Sequence, residues 1–301
     1  MKVLLLGGSG QLGRDVLKFS GYVEDFNLLS PCSKELDITN YKSLLKYINI
    51  HLPDIIVNCA AYTNVDMAEN DKKKAEELNF NAVKKIHKSI KNKEILYIQI
   101  STDYVFGGRG AGPYLESDIT SPMMFYGLTK LKAEDYVRSN FNKFIIIRTA
   151  SLIGLERSNF FKTVINNLIS KKQMKIISDQ KISITWSKEL AIAILNICKK
   201  YKKNQTFASN KIGHIVNKGF TNWYDLAKEI EYCFHEFLHS TDFKTIISEI
   251  SHKNWVSDSN RPLDSRLGIS ESFYNENEII MNDWKKAVKL MTFEFMGINN
   301  D

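Results

Sequence analysis

Proline is scarce, with five in 301 residues. Extended linkers and low-complexity coil are rich in it, so this chain has the composition of a folded protein. Cysteines number only four. Cys32, Cys59, Cys198 and Cys233 stand far apart with no CxxC pair. That excludes a disulfide-stapled scaffold and argues against a thiolate metal site; reduced thiols fit a reducing compartment. No apolar run approaches the ~20 residues that span a bilayer. The segment Met1-Lys2-Val3-Leu4-Leu5-Leu6 is too short for a secretory signal and ends in a glycine turn, not a cleavage site. A cytoplasmic protein without membrane contact is expected. A histidine metal set is also missing: His235 and His239 are four apart with nothing nearby to complete a zinc tetrad, so no metal is expected.

What is present is ordinary globular material. With 44% hydrophobic and 25% charged residues, the chain can bury the core of one large domain or two smaller ones. The formal charge of +7 comes from lysines scattered in ones, twos and threes. That reads as a solvated basic surface, not a nucleic-acid stripe, and it attracts anionic ligands such as nucleotides.

The first half alternates short apolar runs with helical patterns, the signature of a parallel α/β sheet. Strands are expected at 2–6, 27–30, 54–58, 95–100 and 144–148. Helices are expected at 11–19, 41–50, 71–91 and around Tyr126. Beyond residue 150 the rhythm changes, with helices at 159–170, 187–200, 222–237 and 282–296. The expected architecture is a Rossmann-type doubly wound parallel sheet over residues 1–150, with part of 175–205 packing back on it. Residues 151–301 mainly form a smaller α/β substrate-binding domain.

The first strand runs into Gly7-Gly8-Ser9-Gly10-Gln11-Leu12-Gly13. Glycines at 7, 10 and 13 allow a sharp turn and let a pyrophosphate approach a helix N-terminus, where free N–H groups and the helix dipole favour an anion. A tight turn without a ligand is the plainer reading of the same residues. An acidic residue ending the second strand would grip the ribose 2′-hydroxyl of NAD. Here Ser30-Pro31-Cys32-Ser33-Lys34 offers no carboxylate. Ser33 and Lys34 suit a 2′-phosphate, so NADPH is favoured with NADH still possible. Asp37 and Ile38 suit the adenine edge.

Tyr126-Gly127-Leu128-Thr129-Lys130 places a phenol and an ammonium four apart, on one helix face. A cation beside a phenol stabilises the phenolate left after proton donation. Ser101-Thr102-Asp103 lies just upstream.

With Asn58-Cys59-Ala60-Ala61-Tyr62, Ser101-Thr102-Asp103-Tyr104-Val105-Phe106 and Tyr126 to Glu134, the chain resembles the extended short-chain dehydrogenase/reductase family, in its dTDP-4-dehydrorhamnose reductase branch. The likeness continues through Ser178-Asp179-Gln180, Thr221-Asn222-Trp223-Tyr224 and Arg261-Pro262-Leu263, so it covers nearly the whole chain. It implies NAD(P)H-dependent reduction of the C4 ketone of a nucleotide-linked 6-deoxy-4-keto sugar. Tyr126 is the implied acid. Lys130 is the group that holds the nicotinamide ribose and lowers the phenol pKa. Thr102 is the donor to the carbonyl oxygen. Ala60, Ala61 and Tyr62 are expected against the cofactor. Thr102, Asp103, Val105, Tyr126, Gln180, Trp223 and Arg261 are expected against the sugar nucleotide, Arg261 through its diphosphate. Asp66 is read as a helix cap, and a homodimer is compatible with the family.

Ser151 stands where the family usually has a tryptophan of the sugar pocket, after Arg148-Thr149-Ala150. That leaves open an epimerase or a reductase of another nucleotide sugar. A non-catalytic nucleotide-binding subunit on the same fold also stays open, though Thr102, Tyr126 and Lys130 argue against it.

Overall fold

In the computed structural model, residues 1–22, 26–108, 112–203, 210–238, 247–255 and 259–297 are described. The centre is a six-stranded sheet whose pairings are all parallel. Its strands are β1 (Lys2–Leu6), β2 (Asn27–Leu29), β3 (Ile55–Asn58), β4 (Leu96–Thr102), β5 (Phe144–Thr149) and β6 (Lys211–His214). Across the sheet they run β2-β1-β3-β4-β5-β6. The winding reverses between β1 and β3, and a crevice opens at the carboxyl ends of strands at such a point.

Successive residues on each strand face opposite sides of the sheet. Val3 and Leu5 therefore pack beneath α1 (Gln11–Phe19) and α8 (Ser187–Lys203), through Leu12, Val16, Leu190 and Ile194. Leu4 and Leu6 pack beneath α2 (Tyr41–His51), α5 (Ala82–Ile90) and α6 (Phe125–Asn140), through Leu44, Ile86 and Val137. Strands covered on both faces need nearly continuous apolar sequence, and β3 and β5 have it.

A second core lies in the later half. It gathers α7 (Phe160–Ile169), α9 (Trp223–Phe237) and α11 (Trp284–Phe295) around Phe161, Ile165, Leu226, Ile230, Trp284 and Met291. The short parallel pair Met174–Ile177 and Ile247–Ile250 lies against it.

Three local expectations are corrected. The helix expected over 71–91 is broken: α4 (Lys72–Glu76) passes through a π-helical turn at Glu77–Asn81 before α5 begins. The edge strand β6 and the helix α10 (Glu271–Asn277) were not anticipated. Asp66 does not cap α3 (Val65–Asn70); the Asn64 side chain does, accepting from the Met67 amide. His239 of the histidine pair lies outside the described residues.

Candidate active site

The glycine turn sits at the carboxyl end of β1, pressed against the residues that follow β3. Gly7 has φ +83°, and a β-carbon there would lie 2.6 Å from the Ala60 nitrogen, so neither conformation nor space admits a side chain. Gly10 is the N-cap of α1 and offers no side-chain cap. Its place beside the cleft is open, since an added β-carbon would meet only the Gly7 carbonyl oxygen, at 3.3 Å. The first N–H groups of α1 thus face the cleft without a protein cap, which is what an anionic pyrophosphate requires. The Gln11 Nε2 beside them is buried and has no hydrogen-bond partner among the described residues. These features fit a dinucleotide.

The cleft has a volume of about 890 Å³. Gly7, Gly10, Gln11, Leu12 and Gly13 of the glycine turn line it, as do Ser33, Asp37, Ile38, Ala60 and Ala61. Thr102, Asp103, Tyr126, Ser151 and Trp223 line it too, with Phe160 tilted against Trp223 at 4.8 Å between ring centres. Most of the residues expected from the sequence therefore meet in one place.

Others are elsewhere. Val105 is completely buried with Phe106, Tyr114 and Ala150, so its role is packing and the substrate assignment is corrected. Lys34 is exposed beyond the cleft wall. Tyr62 packs beside Tyr126 without lining the cleft. Gln180 and Arg261 line a separate depression of about 290 Å³ with His252 and Trp255. Arg261 is tied there to Asp66 at 2.9 Å.

Around Tyr126 the backbone is tightly fixed. The first amide of α6, on Phe125, donates to Glu69 Oε1 at 2.7 Å. Gly127 lets the helix press on the preceding loop, since a β-carbon there would come within 2.1 Å of the Tyr104 carbonyl oxygen. Asn79 is a structural contributor that sequence reasoning missed. Its amide accepts from the Tyr62 N–H at 2.7 Å and donates to the Tyr62 carbonyl and to Thr129 Oγ1. Asn79 lies in the π-helical turn, a feature frequent at functional sites. A helical break inside 71–91, had it been legible, was the signal for it.

Lys130 is 2% exposed. Its ammonium donates to the Ile100 carbonyl at 2.5 Å. Burial pushes it down to about 8, with the Glu134 carboxylate and Cys59 opposing. It is therefore cationic at neutral pH. Burial pushes the Tyr126 phenol above its ordinary range; the Asp103 carboxylate adds to this and the Thr102 hydroxyl opposes it. The expectation that Lys130 lowers the phenol is thus corrected for the free site. A phenol held protonated still donates readily to an alkoxide, a base comparable with hydroxide, whose conjugate acid has a pKa of about 15.7.

A parallel sheet with a glycine turn at its switch point, a phenol lining the crevice there and a lysine buried one helical turn further along the same helix define a dinucleotide-dependent oxidoreductase of the Rossmann type. The chain belongs to the family described as RmlD substrate binding domain, which matches residues 1–296. It is 31% identical over 298 residues to the dTDP-4-dehydrorhamnose reductase of Salmonella typhimurium, covering 98% of each chain. Its fold matches the crystal structure of a dTDP-4-dehydrorhamnose reductase from Clostridium acetobutylicum with TM-score 0.87 and 30% identity, over 99% of this chain and 100% of that one. A dTDP-4-dehydrorhamnose reductase from Bacillus anthracis, in complex with NADP, superposes with TM-score 0.85 at 26% identity, over 97% and 99%.

Among the described residues no cluster of His, Cys, Asp and Glu could hold a metal ion. No helix among them is long and apolar enough to cross a membrane.

Proposed function

We propose that this protein is an NADPH-dependent oxidoreductase that reduces the C4 ketone of a dTDP-linked 6-deoxy-4-keto sugar, in deoxysugar and surface polysaccharide synthesis. The convergence of Thr102, Tyr126 and the glycine turn on one cleft, in a chain of this family from end to end, carries the reading.

When bound, the reduced nicotinamide supplies the hydride to C4. Tyr126 gives its phenolic proton to the carbonyl oxygen, so that ketone, hydride and proton balance as a secondary alcohol. With the cofactor in place, Lys130, cationic and buried behind the cleft, holds the ribose and stabilises the phenolate. Thr102 donates to the carbonyl oxygen as negative charge develops on it. The N-terminus of α1 and Gln11 bind the pyrophosphate, and Ser33 holds the 2′-phosphate of NADPH. Gln180 and Arg261 belong to the nucleotide end of the substrate, and Trp223 to its sugar end. Residues 1–150 together with α8 act as the dinucleotide unit, and the remainder of 151–301 as the substrate unit. A cytoplasmic location and a homodimer are part of the same proposal.

Ser151 lines the cleft where an aromatic wall is usual for the family. This favours a second reading, in which the ketone acted upon belongs to a different sugar. One experiment separates the two. The protein is incubated with NADPH and a panel of 4-keto nucleotide sugars, cofactor absorbance is followed, and products are identified by NMR. Oxidation with dTDP-4-dehydrorhamnose and formation of dTDP-rhamnose is the expected result. Oxidation with another sugar alone moves the assignment to that sugar. Conversion without net oxidation, or inertness of the whole panel, defeats the reductase reading.

A further inference from the structure

We infer that Asp103 is a positioning residue whose carboxyl group decides whether the Thr102 hydroxyl donates into the cleft or away from it. The inference rests on the ketoreductase reading and deepens it.

A threonine hydroxyl has one proton to donate. Here that proton goes to Asp103 Oδ1 at 2.9 Å, while the oxygen accepts from the Tyr104 amide at 3.2 Å. The same hydroxyl faces the Tyr126 phenol. With Asp103 ionised, Thr102 is committed as a donor to the carboxylate and can only accept from the cleft. The donor needed at the ketone oxygen is then turned away. With Asp103 protonated the direction reverses: the carboxylic O–H donates to Thr102 Oγ1, and the threonine proton turns toward a carbonyl oxygen placed beside Tyr126. The switch takes up one proton from solvent at the Asp103 carboxyl; none passes between Asp103 and Thr102, whose donor and acceptor roles exchange. An ionised Asp103 would also oppose the negative charge that grows on that oxygen, so both effects act in the same direction.

The surroundings make the switch titratable. Asp103 is 3% exposed. Its hydrogen bonds come from the hydroxyls of Ser265 and Thr102 and from backbone amides of its own turn. The charged and titratable groups that face it are Tyr104 on the same turn and Tyr126 on α6, and the charges of Arg261 and Asp66 act on Tyr104 in turn. Burial outweighs the hydrogen bonds and pushes the carboxyl up to about 6.

Two measurements test this. The first is kcat/KM for ketone reduction against pH in the wild type, Asp103→Asn, Asp103→Ala and Thr102→Val. The second is 13C titration of the Asp103 carboxyl in the free protein, its signal assigned by its loss in Asp103→Asn. In the wild type kcat/KM is expected to fall as pH rises through about 6. Asp103→Asn, uncharged at every pH, loses that limb and keeps more activity than Asp103→Ala. Thr102→Val costs about 100-fold, as loss of one oxyanion donor does. It also moves the carboxyl midpoint further up, because a donor to the carboxylate is gone. The inference is overturned if Asp103→Asn keeps the wild-type limb, or if the carboxyl midpoint does not respond to Thr102→Val. If the wild type reduces no 4-keto sugar, the functional reading falls, and the carboxyl titration still decides whether the two side chains are coupled.

Discussion

Arg148 at the end of β5 and Glu134 on α6 form a forked ion pair, 2.7 Å at its closest, in which neither side chain is more than 3% exposed. Ser101 adds its hydroxyl to the same carboxylate at 2.5 Å. The pair thus ties the helix that carries Tyr126 and Lys130 to the strand ends beneath the cleft.

Removing one partner leaves the other as an uncompensated buried charge. Glu134→Ala is expected to cost about 3–5 kcal/mol of stability. Replacing both together, Glu134→Leu with Arg148→Met, recovers most of that loss, because two well-packed apolar side chains carry no desolvation penalty. Urea unfolding of the three proteins checks it. A double variant as unstable as Glu134→Ala alone would show that cavity formation, and not charge burial, sets the cost.

The pair also shows where sequence reading stops. Tyr126 and Lys130 are legible because their spacing is local and helical periodicity does the rest. β1, β3, β4 and β5 are legible because a strand covered on both faces needs a nearly continuous apolar run. Lys211–His214 has neither advantage. It is short, begins with lysine, and carries a glycine whose bare surface is filled by the Phe273 ring. The tie between Asp66 and Arg261 joins residues 195 apart, which no pattern in one chain discloses. Asn79 escaped for a related reason: its amide bridges Tyr62 and Thr129, two segments that only the fold brings together.

Two glycines of the first turn separate folding from binding. Gly7→Ala forces a β-carbon into the Ala60 backbone at a positive φ. It is expected to destabilise the protein by about 1–3 kcal/mol, and to weaken NADPH as a consequence. Gly10→Ala meets only the Gly7 carbonyl oxygen, at 3.3 Å. It should leave the melting temperature within a few degrees while weakening NADPH at least 10-fold, because the methyl occupies the approach to the α1 amides. Calorimetric melting and fluorescence titration with NADPH check the contrast; equal effects in both variants contradict it.

Tyr126→Phe removes one hydroxyl from a ring packed against Ala68, Ala75 and Tyr104. The ring contacts survive, so folding and NADPH affinity are expected to stay close to wild type. Turnover is expected to drop by a factor of 100 or more, since no general acid remains at the ketone oxygen. Single-turnover reduction measures this directly. Wild-type turnover in the variant would remove Tyr126 from the chemistry and leave it as a wall residue.

Lys130 is a place where stability has been given up for the site. Burial holds its ammonium down at about 8 in the folded protein, against about 10.4 in the unfolded chain. Between those two values the unfolded chain binds a proton that the folded protein has released, so this residue makes stability rise as pH goes from about 8 to 10.4. Below 8 the lysine is charged in both states, and the full cost of burying it is present. Lys130→Met removes that cost. The Ile100 carbonyl that loses its ammonium partner keeps the Gln99 side-chain amide, at 2.8 Å, so no buried acceptor is orphaned. The variant is therefore expected to be inactive and, at neutral pH, more stable than the wild type by on the order of 3 kcal/mol, at about 1.4 kcal/mol per pKa unit. Its advantage shrinks steadily as pH approaches 10. Urea midpoints of the two proteins across that range decide the matter: a stability difference that does not change with pH would mean that Lys130 titrates like any surface lysine.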